Sequence, residues 1–320
     1  MANIWVTGAS SLIGYGILKS IRSTKKPYRL IGTTIHKDSI APAFTDICIK
    51  APFSGTDGYI DWVISVIKDH NIDLVIPSFE EDVFFLTDHR EQIESTGAKL
   101  VLNTQDLVCL CKDKWEFYQV LENSACPHVI PSSLSSEFRE LESKFGLPLL
   151  LKPRRGNASK GIVRVLKEED FELHKGQIGK NLMVQPLIGK DDEEFTTSAF
   201  CDGKGGYYAI ITLKRELSKG GYTNLAEVVD NNQIKAAVRN ICKILKPIGP
   251  TNFQFRIHNG AVYLLEINPR FSSSTSMRYA FGYNDALMSI EYFLDEKIPG
   301  QPKIRNGKAI RYIEDYIVYS

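Results

Sequence analysis

The chain has no excess of charge of either sign: 39 lysines and arginines stand against 38 aspartates and glutamates, leaving +1 over 320 residues. So weak a net field gives no general attraction for nucleic acid or an anionic membrane, and neither partner is expected. No apolar run approaches the about 20 residues that cross a bilayer. The opening Met1-Ala2-Asn3-Ile4-Trp5-Val6-Thr7-Gly8 enters a strand pattern with no basic leader or cleavage site, so the expectation is a soluble, non-exported, cytoplasmic protein. Cysteine is sparse, and Cys48, Cys109, Cys111, Cys126, Cys201 and Cys242 contain no C-x-x-C pair. Reduced thiols are expected in a chain too long to need disulfide staples. No two of the six histidines stand four apart, which argues against a zinc site.

What is present begins as alternating strands and helices. Ile4 to Thr7 reads as an apolar strand, Gly8 to Gly14 as a turn, and Leu12, Ile13, Ile17, Leu18 and Ile21 as the stripe of a helix. Tyr28 to Thr33 is a second strand, Tyr59 to His70 a helix, Leu74 to Pro77 a strand, Glu80 to Ile93 a helix and Lys99 to Leu102 a strand. Such alternation predicts a parallel, doubly wound α/β sheet with a Rossmann-like opening. The turn Gly8-Ala9-Ser10-Ser11-Leu12-Ile13-Gly14 has the outer glycines of a dinucleotide loop, but Ser11 stands where the middle glycine would admit a pyrophosphate. No acid closes the second strand to take a ribose. The turn therefore reads as structural, with an NAD(P)-dependent short-chain reductase as the rival function.

The sequence is helical from Asp106 to Asn123 with a break near Asp113, and Lys114 opens the second part. Pro127 and Pro131 mark a connection, and Glu137 to Phe145 is a helix stopped by Gly146. Leu149-Leu150-Leu151-Lys152-Pro153 is a strand, followed by Arg154-Arg155-Gly156-Asn157-Ala158-Ser159-Lys160-Gly161 and a strand from Ile162 to Val165. A small-residue, cationic hairpin of this kind can fold over a polyphosphate. Leu182 to Gly189 is a strand leaving through Gln185-Pro186-Leu187-Ile188, a segment able to present backbone groups to a planar ring while Leu187 and Ile188 pack on it. Glu193 to Phe200 pairs with Tyr207 to Leu213 across Asp202-Gly203, and Lys214-Arg215-Glu216 with Gly220-Gly221-Tyr222 reads as a mobile cationic loop.

After an amphipathic helix from Asn231 to Leu245, a hairpin turns at Asn259-Gly260 and runs into Val262-Tyr263-Leu264-Leu265-Glu266-Ile267-Asn268-Pro269-Arg270. Residues two apart on a strand share a face, so Glu266 and Asn268 lie together and the hairpin brings Gln254 to them. One carboxylate and two amide oxygens suit Mg²⁺, which leaves its other positions to phosphates and water. Arg270 adds a planar fork for phosphate or carboxylate.

These stretches together resemble the ATP-grasp superfamily, most closely the branch of the carbamoyl-phosphate synthase large subunit and amino-acid ligases. The resemblance covers nearly the whole chain. It implies a Rossmann-like pre-ATP-grasp domain (1–103), an ATP-grasp lid or small lobe (104–186) and a C-terminal catalytic lobe (187–320) that complete a two-lobed α+β domain. By the same resemblance Lys114 and Lys152 meet ATP phosphates, Gly156, Asn157, Ala158, Ser159, Lys160 and Gly161 form the flap, and Gln185, Pro186, Leu187 and Ile188 form the adenine hinge. Glu194 matches the ribose acid, or Glu193 if the register slips by one. Gln254, Glu266 and Asn268 match the ligands of two Mg²⁺ ions, with Mn²⁺ as a substitute, and Arg270 steadies the transferred phosphoryl group. Gln185 stands where an acid is more usual, and Ser198 where many relatives have Asp.

The activity so implied is an ATP- and Mg²⁺-dependent carboxylate–amine ligase acting through an acyl-phosphate, with Lys152, Glu266 and Arg270 as its catalytic residues. Small-molecule acids and amines are the expected partners, and a homodimer is compatible. Arg215, Ser272, Ser273, Ser274, Glu80 and Glu81 are candidates for the substrate pocket from their strand-end positions. A non-catalytic ATP sensor on the same fold is the second alternative.

Overall fold

The two faces of the first sheet are already written in its opening strand, because Trp5 points one way and Ile4 and Val6 the other. The computed structural model describes residues 1–156, 161–190 and 193–318. In it β1 (Asn3–Val6), β2 (Arg29–Thr34), β3 (Ile47–Lys50), β4 (Leu74–Ile76) and β5 (Lys99–Leu100) form a parallel sheet in the order β3-β2-β1-β4-β5. One face is covered by α1 (Leu12–Arg22). The other is covered by α2 (Tyr59–His70), α3 (Glu80–Asp88) and α4 (Arg90–Glu94). Trp5 is fully buried among Val63, Val66 and Val83, donates to Thr33 Oγ1 at 3.0 Å and meets the Trp62 ring edge-on at 5.8 Å. Strand order reverses between β1 and β4, so the crevice beyond their carboxyl ends is where this architecture admits a ligand.

Two expectations need correction here. The helix expected from Glu80 to Ile93 is interrupted at His89, which ends α3 and starts α4, with its Nδ1 2.9 Å from the Phe85 carbonyl. The strand expected to reach Leu102 pairs only over Lys99 and Leu100.

Helices α5 (Gln105–Leu110) and α6 (Lys114–Asn123) lead to a small lobe. There α7 (Phe138–Phe145) and α8 (Glu168–Glu172) pack on β6 (Leu149–Pro153), β7 (Val163–Val165) and β8 (Leu182–Pro186), antiparallel in the order β7-β6-β8. The large sheet comprises β9 (Glu194–Asp202), β10 (Tyr207–Leu217), β11 (Thr223–Val229), β12 (Ile248–His258), β13 (Ala261–Asn268) and β14 (Lys308–Ile310). Its order is β13-β12-β9-β10-β11-β14. Helix α9 (Asn232–Leu245) lays Ile234, Ala237, Val238 and Ile241 against Phe253 and Phe255 on one face. The opposite face of β9, β12 and β13 carries the polar residues of the cleft.

Helices α10 (Thr275–Arg278) and α11 (Asp285–Phe293) bind the large sheet to the first one. Phe271, Ala286 and Ile290 share a core with Ile4, Val6 and Ile17, and Asn103 donates to Thr251 Oγ1 at 2.9 Å while accepting from Ile248 N at 2.9 Å. No helix among the described residues is long and apolar enough to cross a membrane.

The start of α6 is fixed by one buried carboxylate. Asp113 caps it by accepting from Trp115 N at 2.9 Å, and Arg154 grips both oxygens, Nε to Oδ1 at 3.1 Å and Nη2 to Oδ2 at 2.9 Å. Burial alone would raise the Asp113 carboxyl, but Arg154 and the Trp115 N–H outweigh it and hold it below its ordinary value. A carboxyl depressed in the folded state contributes stability above its unfolded pKa of about 4 and loses that contribution as pH falls through the folded value. Asp113→Ala is expected to lower the urea-unfolding free energy by about 2 kcal/mol at pH 7. The deficit should shrink below pH 4 as the wild type loses the same contribution.

Candidate active site

The cleft between the small lobe and the large sheet grows from strand register. Glu194 on β9 stands directly opposite Arg215 on β10 and Arg256 on β12, while Gln254 stands opposite Glu266 and Asn252 opposite Asn268 on β13. Opposed residues on one face are close enough to pair. Arg215 donates Nε and Nη2 to Glu194 Oε1 at 3.0 and 2.5 Å, and Arg256 Nη2 lies 3.4 Å from Glu194 Oε2. Arg215 Nη2 also donates to Gln254 Oε1 at 2.7 Å, and Gln254 Nε2 donates to Glu266 Oε1 at 2.6 Å. A continuous polar chain thus crosses four strands.

The pairing of β12 with β13 shifts by one residue between Gln254 and Phe255, which leaves Leu265 without a partner. Such a bulge re-aims groups beside a site. Here it turns the Leu265 carbonyl towards the cleft, where Lys152 Nζ donates to it at 3.3 Å. Lys152 comes from β6 and Lys114 from the first turn of α6, so the two cations approach Glu266 from the small lobe. Burial would raise the Glu266 carboxyl, yet Lys152, Lys114 and the Asn268 amide at 3.2 Å keep it below its ordinary value. Burial likewise lowers Lys152, partly offset by Glu266.

The cleft has a volume of about 410 Å³ and is lined by Lys152, Gln185, Glu194, Arg215, Gln254 and Glu266 together with Lys114, Asn268 and Arg270. A side pocket of about 60 Å³ shares Lys114, Lys152, Glu266 and Arg270 and adds Glu80, Phe84 and Phe117. Arg270 Nη2 donates to Glu80 Oε2 at 2.8 Å, so an acid from α3 and a cation beyond β13 meet at the junction of the first and last sheets. Gly156 also lines the cleft, and its carbonyl accepts from Lys114 Nζ at 2.6 Å. Gly161 begins the descent to β7 with φ +75°, a conformation that suits glycine. Asn157, Ala158, Ser159 and Lys160 of the expected flap lie outside the described residues.

Several expected roles meet geometry of a different kind. Arg215 is a buried strand residue rather than part of a mobile loop, because β10 continues through Lys214 and Glu216 to Leu217, and its guanidinium is directed to Glu194 and Gln254 rather than to open solvent. Glu194, not Glu193, faces the cleft, with both oxygens engaged by arginines. In the expected hinge, Pro186 and Ile188 line the cleft, whereas Leu187 N donates to Pro148 O at 3.1 Å and its side chain does not line it. Gln185 donates Nε2 to Ser132 Oγ at 2.8 Å. Ser272 and Ser273 line the cleft, but Ser274 is fully buried with its hydroxyl 2.9 Å from that of Thr223, and Glu81 is exposed outside it. Arg154 clamps Asp113 and the Gly179 carbonyl at 3.1 Å, which makes it a fastening between α6 and the small lobe.

Arg256 is the cleft residue the sequence reading missed. Its signal was simple alternation, two places beyond Gln254 on the same strand. It donates to Ile188 O at 3.1 Å and so joins the hinge to the large sheet. The first turn of α1 is the second omission: Ser11, Leu12 and Ile13 line the cleft. Ser11 caps α1 by accepting from Gly14 N at 3.0 Å, which consumes an N–H that a pyrophosphate would need. A Cβ on Gly14 would fall 2.3 Å from the Gly8 carbonyl, so the glycines are required by the turn itself.

The donor chemistry fits Mg²⁺. Glu266 is held ionised, and neither its Oε2 nor Asn268 Oδ1 accepts a hydrogen bond among the described residues, leaving one anionic and one neutral oxygen at the strand end. A single carboxylate with phosphates and water completes many Mg²⁺ sites. Gln254 presents nitrogen to Glu266, with its oxygen held by Arg215. No group of three or more His, Cys, Asp or Glu suited to a metal occurs among the described residues.

A parallel sheet, an antiparallel small lobe and a polar-faced large sheet around one cleft define an ATP-grasp fold. In sequence the chain is similar to carbamoyl phosphate synthase large chains. Residues 179–316 match the family model described as "ATP-grasp in the biosynthetic pathway with Ter operon". The carbamoyl phosphate synthase large chain of Archaeoglobus fulgidus is 26% identical over 299 residues, covering 79% of this chain but only 27% of that protein. Among solved structures, the biotin carboxylase domain dimer of Hydrogenobacter thermophilus 2-oxoglutarate carboxylase, in complex with MgADP, ADP and bicarbonate, superposes with a TM-score of 0.74. It is 15% identical, and the match covers 95% of this chain and 73% of that one. The L-amino acid ligase of Bacillus licheniformis gives a TM-score of 0.69 at 17% identity, over 96% of this chain and 78% of that one.

Replacing Arg215 tests the polar chain. Arg215→Met leaves Glu194 buried with one arginine and releases the Gln254 oxygen, so the variant should lose about 3 kcal/mol of stability. Its weakening of Mg-ATP binding, measured by calorimetry, should exceed any rise in KM for an acid substrate. The opposite order would place Arg215 on the substrate.

Proposed function

We propose that the chain is an ATP- and Mg²⁺-dependent ligase that joins a carboxylate to an amine through an acyl-phosphate, releasing ADP and phosphate. The observation that carries this reading is the convergence of an ionised Glu266 with Lys114, Lys152 and Arg270 on one cleft with apolar walls. Leu150, Ile162, Ile188 and Leu265 offer apolar contact to an adenine, and the Gln185 carbonyl oxygen offers an acceptor to its amino group. Lys152 and Lys114 then stand towards the phosphates. Glu266 and Asn268, with Gln254 beside them, would hold Mg²⁺, which when bound supplies Lewis-acid neutralisation of phosphate oxygens.

The reaction needs no protein nucleophile. A carboxylate oxygen of the acid attacks the γ-phosphorus, the bond from phosphorus to the β,γ-bridging oxygen breaks, and ADP departs. The amine nitrogen next attacks the acyl carbon, the acyl carbon–phosphate oxygen bond breaks, and the amine proton leaves with solvent or phosphate. Lys114, Lys152 and Arg270 contribute fixed positive charge where negative charge accumulates. The Glu80–Arg270 pair sets that arginine between the phosphate end and the crevice of the first sheet.

The chain spans 27% of the length of the large chain it matches in Archaeoglobus fulgidus, so the acid and amine are not transferred from that protein. Glu266→Gln is expected to lower ADP formation about a thousandfold with Mg-ATP and pooled acids and amines. Circular dichroism should match the wild type, while the unfolding midpoint falls because Lys152 and Lys114 lose their buried counter-charge. Unchanged turnover by the folded variant would remove Glu266 from the chemistry.

A further inference from the structure

The end of the cleft next to the first sheet differs from the phosphate end. It is built from the first turn of α1, from Phe79 just beyond β4, from the turn between β10 and β11, and from the residues after Arg270. These pieces meet at the strand-order reversal, where the sheet architecture admits a ligand. Phe79 is 50% exposed and Leu217 and Tyr222 are each 37% exposed, and all three line the cleft with Leu12 and Ile13. Large apolar side chains gathered around one opening mark a surface that a ligand covers.

Charge is scarce there. Arg270 is the single charged lining residue placed at this end among the described residues, and it is already paired with Glu80. The acids deeper in the cleft are committed, Glu194 to two arginines and Glu266 to the phosphate end. Arg311, behind this end, is engaged by the Thr223 and Ser273 carbonyls at 3.0 and 2.7 Å and lies over the Tyr222 ring without lining the cleft, so no lining group among the described residues matches the second carboxylate or phosphate of a dianionic substrate. Hydroxyls supply the remaining polarity: Ser272 Oγ accepts from Arg278 Nη1 at 2.7 Å and Ser273 Oγ from Thr223 N at 3.4 Å. Neither hydroxyl donates to a partner among the described residues, so both keep a hydrogen for a ligand oxygen.

We infer that the acid substrate is a monocarboxylate with an apolar or aromatic side chain, its carboxylate towards Arg270 and the serines and its side chain against Leu12, Ile13, Phe79 and Tyr222. The inference rests on the ligase reading and adds the substrate class. Phe79 and Tyr222 are specificity-determining contacts in this arrangement.

Hydroxylamine tests it without knowledge of the amine, since it captures an acyl-phosphate as a hydroxamate with release of phosphate. The full chain is assayed with Mg-ATP and hydroxylamine against 3-phenylpropionate, L-phenylalanine and L-leucine, and against succinate and 3-phosphoglycerate. The apolar acids are expected to give hydroxamate with kcat/KM at least about tenfold above the dianions, within the range one apolar pocket can discriminate. Phe79→Ser, which places a side chain able to cap α3 where Phe79 makes no capping bond, and Tyr222→Ser should each raise KM for the apolar acid about tenfold. KM for ATP should not change. Preference for succinate or 3-phosphoglycerate, or variants that leave KM for the acid unchanged, would overturn the substrate class and leave the ligase reading standing. Absence of hydroxamate and ADP with every acid, from protein that binds Mg-ATP, would overturn the ligase reading and this inference with it.

Discussion

Glu266 remains charged where burial alone would neutralise it, and the cleft is arranged around that constraint. An isolated carboxylate taken from water is strongly penalised unless cations and hydrogen bonds accompany it. Lys152 and Lys114 supply the charge from the small lobe, while Gln254 and Asn268 supply amide contacts within the large sheet. The same cations are suited to a polyphosphate, and the same carboxylate to a divalent ion. One electrostatic arrangement thus serves both the folded state and the proposed reaction.

That arrangement depends on joints between separately built parts. Asp113 and Arg154 fasten the start of α6 to the small lobe and so place Lys114. Arg256 ties the hinge carbonyl of Ile188 to Glu194 on the large sheet. Asn103 bridges the end of the first sheet region to Thr251 and Ile248, and Arg270 reaches Glu80 on α3. Each joint is a side chain with planar or paired polar groups, so it fixes direction as well as distance. The crevice beyond β1 and β4 consequently opens into the cleft that holds Lys152 and Glu266, where the transfer is proposed.

Local pattern made much of this legible. The apolar alternation around Trp5, the 3.6-residue stripe of α9 and the Asn259-Gly260 turn each specify their own conformation from neighbours in sequence. Glu266 and Asn268 were readable as a pair because a strand repeats every two residues. Contacts between distant segments left no such period. Arg215 looked like a loop cation because its partner Glu194 lies on another strand, 21 residues away, and the pairing is decided by register. The bulge at Leu265 is also a property of two strands aligned together, and the lining role of Phe79 and Ser11 follows from how the first sheet docks. Helices α10 and α11 and strand β14 escaped because their apolar residues find partners only in tertiary cores, Ala286 and Ile290 with Phe271, and Met277 and Ala309 with Phe200 and Tyr283.

The most direct test of the cleft assignment is the shift in unfolding midpoint of the full chain with Mg-ATP and, separately, with NADP⁺. A ligand that binds only the folded state stabilises it by about 2.7 kcal/mol at one hundred times its Kd. Mg-ATP is expected to raise the midpoint and NADP⁺ to leave it in place. A rise with NADP⁺ and none with Mg-ATP would contradict the account and return the site to the turn from Gly8 to Gly14.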